Sequence, residues 1–330
     1  MSVNRPAAVE AVFTLVLAIG AMVLVHGNPY LEAVALLTAT YAFISLGMYL
    51  PFIMGGALSM AYNAYLGVGA YAMALVATRT DWPLVWSIPA GMLLSAAVAV
   101  VLGLATRRLS GFYLAAVTLL FGIAFYTWLI DAESITGGSG GIQSIRAPSL
   151  GGQPVSNSTL VALTILAVWL VALLLSRLRN SPFGIVVRAQ RRAPIAVESS
   201  GIRVSTLTLV SLALGAAIAS LGGSLFAVVN HAIVPESFAV DLVFITMFMP
   251  LLGGQDRPWG AVLGAILVVL FTFQLTFFKS TGSLFFALAV LLVLVAAPRG
   301  ILGYLLPAIQ LGWRKLWGRV TGKKAGSVGG

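Results

Sequence analysis

Ser59, Tyr62, Asn63, Tyr65 and Tyr71 fall within one apolar stretch that also holds Gly55, Gly56, Gly67 and Gly69. Hydrogen-bonding side chains gathered in so short a run can recognise a polar solute. An amide such as that of Asn63, set in hydrocarbon, needs a partner on another helix or water in a cavity. Two roles are therefore open to the segment: a glycine-interrupted helix lining a pathway, or polar glue between helices. If it lines a pathway, Ser59, Tyr62, Asn63, Tyr65, Gly67 and Gly69 are the residues expected to face it.

Two further segments break the apolar background. Thr136-Gly137-Gly138-Ser139-Gly140-Gly141-Ile142 follows Asp131 and Glu133. So many glycines demand unusual backbone dihedrals or close approach, although by composition alone the run also reads as a flexible linker. In residues 177–203, Arg188, Arg191 and Arg192 stand at i, i+3 and i+4 and share one helix face. Pro194 ends that helix, and Ile195 to Ser200 form a short second turn closed by Gly201. A helix–break–helix of this kind suits docking of a soluble partner. The plainer alternative is that the arginines set topology and touch lipid headgroups.

Nothing in the chain points to catalysis. There is no phosphate-binding loop, no pair of acids on one helix and no Ser/His/Asp constellation. Cysteine is absent, and His26 and His231, both near predicted loops, are too few for a metal site. No cofactor is expected. Ion-coupled transporters commonly place titratable groups inside their spans. Here Glu32, Glu236, Asp241 and Lys279 are the candidates, all near predicted span ends. The energy for any transport is therefore expected to come from another chain.

The elements that must position these residues follow from composition. Hydrophobic residues make up 60% of the 330-residue chain and charged ones 8%, with a mean hydropathy of +1.02. A water-soluble fold of this size could not cover its surface with so few charges, so the chain must present apolar surface to a lipid bilayer. A spanning helix needs about 20 apolar residues. Ten such spans are predicted, near 9–27, 31–50, 57–78, 84–105, 112–130, 159–176, 204–229, 237–253, 258–277 and 282–297. The expected fold is an all-α polytopic membrane protein of about ten transmembrane helices. The first span is expected to stay as an anchor rather than be cleaved.

The formal net charge of +10 has a topological reading. With a cytoplasmic N-terminus, sixteen of the 19 basic residues fall on cytoplasmic loops and tails, leaving only Arg79, Arg146 and Lys279 outside. Both termini are therefore predicted cytoplasmic. The basic balance needs no nucleic acid partner. Gly91, Ser95, Ala99 and Gly103 form a small-residue ridge, as do Ser211, Gly215, Ala219 and Gly223. Such ridges let helices approach closely in lipid. The permease domain is expected to run over 1–318, with a disordered basic tail over 319–330.

The order of these segments resembles the LivM-type permeases of branched-chain amino acid ABC importers, from roughly residue 35 to 306. Ser59 with Gly67-Val68-Gly69-Ala70-Tyr71 is similar to the family's serine followed by a G-x-G-A-Y run. Leu109 to Thr118, Thr136 to Ile142, Pro235-Glu236-Ser237-Phe238 and Leu252-Gly253-Gly254 also resemble family motifs, as does Pro298-x-Gly300-Ile301-Leu302-Gly303. Ala196-x-x-x-x-Gly201-Ile202 resembles the small-residue-to-glycine part of the coupling loop, with Glu198 one place from the family's acid. Ala61-Tyr62-Asn63 stand where the family often has G-H-A. The resemblance implies a second permease subunit forming a heterodimer, two ATP-binding subunits and a periplasmic substrate-binding protein, at a bacterial inner membrane. It implies that Arg188, Arg191, Arg192, Glu198 and Gly201 belong to an ATPase-docking loop, and that Thr136, Gly137, Gly138 and Gly141 form a family motif loop. Relatives of this type also carry urea, short amides or aromatic acids. The rival reading is a stand-alone secondary transporter or facilitator, since spans 31–130 and 204–297 start on opposite sides as inverted repeats do.

Overall fold

Apolar runs punctuated by Asn28-Pro29, Pro83, Gly111, Pro182 and Pro194 become helices in the computed structural model, which describes residues 5–109, 111–150, 153–275, 300 and 303. In chain order these are α1 (Arg5–Val25), α2 (Pro29–Met48), α3 (Tyr62–Arg79), α4 (Ser87–Ala105), α5 (Phe112–Asp131) and the single turn α6 (Glu133–Thr136). There follow α7 (Asn157–Asn180), α8 (Pro182–Arg192), α9 (Pro194–Ser199), α10 (Val204–Asn230), α11 (Asp241–Gly253) and α12 (Pro258–Leu275). Local chemistry sets several starts. The Asn28 side chain accepts from the Tyr30 and Leu31 amides with Pro29 in the first turn, Ser156 caps α7, and Ser181 caps α8. The strands among the described residues are the two-residue pair Ser149–Leu150 and Gln153–Pro154, a small departure from an all-helical chain.

Among the described residues, six helical stretches are long and apolar enough to cross a bilayer: Pro29–Met54, Leu84–Ala105, Phe112–Asp131, Asn157–Asn180, Val204–Asn230 and Pro235–Gly253. Glu10–Val25 and Pro258–Phe271 are shorter apolar helices. The third predicted span is not among them. Its helix begins only at Tyr62, and Asn63, three tyrosines and Arg79 lower its apolarity. That composition is tolerable because protein rather than lipid surrounds α3: twelve of its 18 residues are buried. The tenth predicted span, 282–297, and the tail, 319–330, lie outside the described residues.

Small residues build the core. α10 runs through the middle and packs against α2, α3 and α4. All eight members of the two predicted ridges are buried. A β-carbon added at Gly223 would collide with the Leu66 carbonyl of α3, and one added at Gly47 with the Gly215 carbonyl of α10. Backbone therefore lies on backbone, the contact that replaces a hydrophobic drive within lipid. α11 meets α12 the same way, through Gly253, Gly260 and Gly264.

α1 is the outlier, with most of its surface exposed. Polar contacts hold it. Glu10 pairs with Arg257 at 3.1 Å and accepts from Trp259 Nε1 at 2.9 Å and Ser176 Oγ at 3.3 Å. Trp169 Nε1 donates to Thr14. Glu10 thus joins the few acids within predicted spans.

The connections gather at two ends. At one, the chain near Ile53 and Gly55 meets α8. At the other, Arg79 donates to the Ser134 carbonyl at 2.6 Å, and Arg146 donates to the Thr80 carbonyl at 2.8 Å. The chain is a helical, multi-pass membrane protein.

Candidate functional site

The predicted pathway segment is where the helical ladder fails. After α2 the chain widens into a π-helix over Tyr49–Met54, then runs without helical structure to Tyr62. Ser59 therefore stands on a non-helical stretch rather than on a helix face, contrary to the predicted span of 57–78. Bare backbone at this depth is tolerated only if its polar groups find partners within protein or a wet cavity. Partners are at hand. The Ala57 amide donates to the Pro51 carbonyl at 2.8 Å, and the Met60 amide donates to the Thr118 hydroxyl at 2.8 Å. The Gly55 carbonyl accepts from Gln190 Nε2 at 3.3 Å, and the Ile53 carbonyl accepts from Arg191.

Asn63 opens α3 and is fully buried. Its amide nitrogen donates to the Gly122 carbonyl at 3.0 Å and to the Phe238 carbonyl at 3.1 Å. Its amide oxygen is buried with no partner. The side chain is thus glue between α3, α5 and the Pro235–Phe238 turn, with one acceptor left unused. Tyr62 donates to the Gly47 carbonyl at 3.0 Å and stacks edge-on with Tyr65 at 5.3 Å. A β-carbon at Gly67 would press on Phe125, and one at Gly69 would collide with the Ser220 carbonyl. Ser59, Tyr62, Asn63, Tyr65, Gly67 and Gly69 are all buried. In this conformation the core around them is closed.

The glycine-rich loop is a latch, not a linker. The buried Thr136 hydroxyl donates to the Leu129 carbonyl at 2.7 Å and accepts from the Gly138 amide at 3.2 Å. Gly137 and Gly141 have φ of 79° and 65°, in the region that glycine alone enters freely. A β-carbon at Gly141 would strike the Ile233 carbonyl. Ile142 and Ile233 exchange two backbone hydrogen bonds of 2.9 Å. The latch thereby holds the Pro235–Phe238 turn, whose buried Phe238 ring packs against Tyr71 at 5.8 Å and Phe226 at 6.0 Å. Three segments distant in sequence, 59–71, 136–142 and 235–238, meet around Asn63 and Phe238.

The 177–203 segment forms the predicted helix–break–helix. α9 closes at Gly201, whose φ is 81°. Its residues are exposed except Val197, and Ile195 is 82% exposed. The three arginines do not act together. Arg191 reaches back to the Ile53 carbonyl, Arg188 bonds its own helix at the Gly184 carbonyl at 3.4 Å, and Arg192 is exposed. Glu198 is exposed on α9. Sequence reasoning missed Gln190, which carries no charge or spacing signal, and Glu10, which stands at the very start of its span.

An open cavity of about 730 Å³ lies away from these residues, between α7 and α10, beside the Trp82 and Arg146 loops. Leu160, Leu163, Leu221 and Leu225 give it mostly apolar walls, with Asp81, Arg146, Ser149, Thr164 and Ser224 as polar exceptions. Its residues carried no motif. Among the described residues no group of three or more His, Cys, Asp or Glu side chains could hold a metal ion.

The chain can now be set beside known proteins. The profile of the family described as "Branched-chain amino acid transport system / permease component" matches residues 30–305. The high-affinity branched-chain amino acid transport system permease protein LivM of Salmonella typhimurium is 29% identical over 302 residues, covering 84% of this chain and 71% of its own. The protein of the same name from Escherichia coli is 28% identical over the same shares. A probable branched-chain amino acid transport permease protein LivM of Methanocaldococcus jannaschii is 34% identical over 112 residues, 34% of this chain and 32% of its own. No solved structure matches. With its family profile spanning both the Asn63 core and the α8–α9 elbow, this chain belongs to the branched-chain amino acid transport system permease family.

Proposed function

We propose that this chain is one permease subunit of an ATP-driven importer for branched-chain or related amino acids in a bacterial inner membrane. It forms the translocation path with a second permease subunit, and a periplasmic binding protein delivers the substrate. Two ATP-binding subunits hydrolyse ATP, and this chain catalyses no reaction. Ten spans with both termini cytoplasmic put the 177–203 segment on the side where ATP is available.

One observation carries this reading: α9 projects from the fold with Ile195 bare. A helix–break–helix that stands exposed from Arg191 to Ala196 and again from Glu198 to Arg203 offers a soluble partner one continuous surface, with Ile195 upon it. Docking runs through Arg188, Arg192, Glu198 and the turn at Gly201, while solute crosses beside Ser59, Tyr62, Asn63 and Tyr65 when the closed core parts. The latch at Thr136, Gly137, Gly138 and Gly141 keeps the outer turn in register during that movement.

The test is purification of tagged protein in mild detergent, with partners identified by mass spectrometry. ATP-binding subunits and a second permease of similar size should co-purify with the wild type, and Ile195→Asp should lose the ATP-binding subunits while keeping the permease. Recovery of the wild-type chain alone, in a preparation that still moves solute down an ion gradient, would replace this reading with a stand-alone secondary transporter.

A further inference from the structure

We infer that Arg191 and Gln190 are positioning residues: they clamp α8 to the Ile53–Gly56 turn, so that movement of the elbow is delivered to the non-helical stretch before α3. The inference rests on the elbow being the docking site. It adds which residues transmit the motion and where it goes.

The clamp has three parts. The first is hydrogen bonding. The last carbonyls of a helix lack intrahelical donors. Those of Ile53 and Gly55 take theirs from another element, the Arg191 guanidinium and the Gln190 amide. The second is steric. A β-carbon at Gly55 would lie 2.8 Å from the Pro51 carbonyl of its own turn, 3.1 Å from Gln190 Nε2 and 3.5 Å from Val187, and one at Gly56 would lie 2.9 Å from Arg191 Cγ. Only bare backbone lets α8 come so close, and Gly56 also needs its φ of 75°. The third is burial. Val187 and Gln190 are 0% and 5% exposed, so one face of α8 is sealed against the turn. α9, one residue further on, is almost wholly free. The elbow thus has a fixed arm and a free arm.

What lies beyond the turn makes the clamp a relay. Residues 55–61 have no helical ladder of their own to absorb a displacement. Their far end is tied to α5 through Met60 and Thr118, and then to α2 and the Pro235–Phe238 turn through Tyr62 and Asn63. A pull on α8 therefore reaches the Asn63 core through a chain of specific bonds. Gln190 also has a buried amide oxygen without a partner, so its placement is governed by the donor side alone.

The chain has no cysteine, which makes a single reporter thiol practical. Leu58→Cys, on the half-buried part of the stretch, is introduced into the complex purified through this chain. Its maleimide labelling rate is read by mass without nucleotide and after trapping with ATP and vanadate. The expected result is a rate that changes severalfold on trapping. With Arg191→Gln the trapped rate should equal the nucleotide-free rate, while ATP-binding subunits still co-purify and hydrolyse ATP without substrate. Arg191→Lys, which restores a cationic donor, should recover the response in part. Gln190→Leu serves as a second variant should Arg191→Gln fold poorly, and it should also lose the response.

A reporter that ignores nucleotide in the otherwise wild-type complex overturns the inference. So does a full response in Arg191→Gln or Gln190→Leu. Loss of the ATP-binding subunits from Arg191→Gln would make Arg191 a docking contact instead. Absence of those subunits from the wild type would refute the docking reading itself, an outcome distinct from the others.

Discussion

Replacing Asn63 by leucine separates the two roles open to this side chain. The change removes two hydrogen bonds of 3.0 and 3.1 Å to the Gly122 and Phe238 carbonyls. Interhelical side-chain bonds in membrane proteins average about 0.6 kcal/mol, so their joint loss costs about 1 kcal/mol. The same change removes an amide oxygen buried without a partner. An orphan of that kind costs about 1–3 kcal/mol, so its removal offsets the loss. The Gly122 and Phe238 carbonyls, left without this donor, add a cost of their own, so the net effect on this conformation is a loss of about 1 kcal/mol and a detergent melt should fall by no more than about 4 °C. Asn63 therefore adds little to the closed state. Its unused acceptor is expected to act when the core parts, towards solute, water or a new helix partner. Uptake by the reconstituted complex should fall at least about tenfold, the factor that 1.4 kcal/mol supplies. Asn63→Leu that melts as wild type and transports as wild type would refute the argument and leave Asn63 as packing glue. A large fall in melting temperature would refute the energy balance instead.

The other predictions concern the scaffold. Gly223→Ala drives a methyl group into the Leu66 carbonyl where both sides are backbone. The cost should reach or exceed about 1–3 kcal/mol, seen as a lower melting temperature and less folded protein, and an unchanged melt would contradict the packing described. Glu10→Ala removes an ion pair and two hydrogen bonds from neutral donors that tie α1 to the body. About 1–2 kcal/mol should be lost, and α1 should become more accessible to limited proteolysis, while equal digestion of mutant and wild type would show that α1 docks by other means.

Much of this architecture was legible because the bilayer imposes strong rules. Long apolar runs foretell the helices that can cross a bilayer among the described residues, since a span must bury about twenty residues without charge. The ridges at Gly91–Gly103 and Ser211–Gly223 foretell close packing for the same reason: nothing else brings helices together in lipid. The break at 55–61 was not legible. Gly55 and Gly56 suggest an interruption, but the apolar residues on both sides average into one continuous span. Nor does sequence distinguish the direction of Arg191 from that of Arg188 and Arg192. Helix periodicity puts them on one face, whereas the turn at Ile53, more than 130 residues away, decides which guanidinium finds a carbonyl. The glycine loop was misleading by composition. Its conformation depends on Ile233, a contact that no local rule foresees.

The Glu10 tether also bears on how the chain is made. Glu10 emerges well before its partners, since Ser176 and Trp259 follow 166 and 249 residues later. At about 5–20 residues per second, the ribosome needs roughly 10–50 s to supply the second of them. Through that interval α1 has to wait in the membrane, an apolar rod with an unpaired acid near one end. α1 is thus made well before it can be locked, and its docking reports that α12 has arrived.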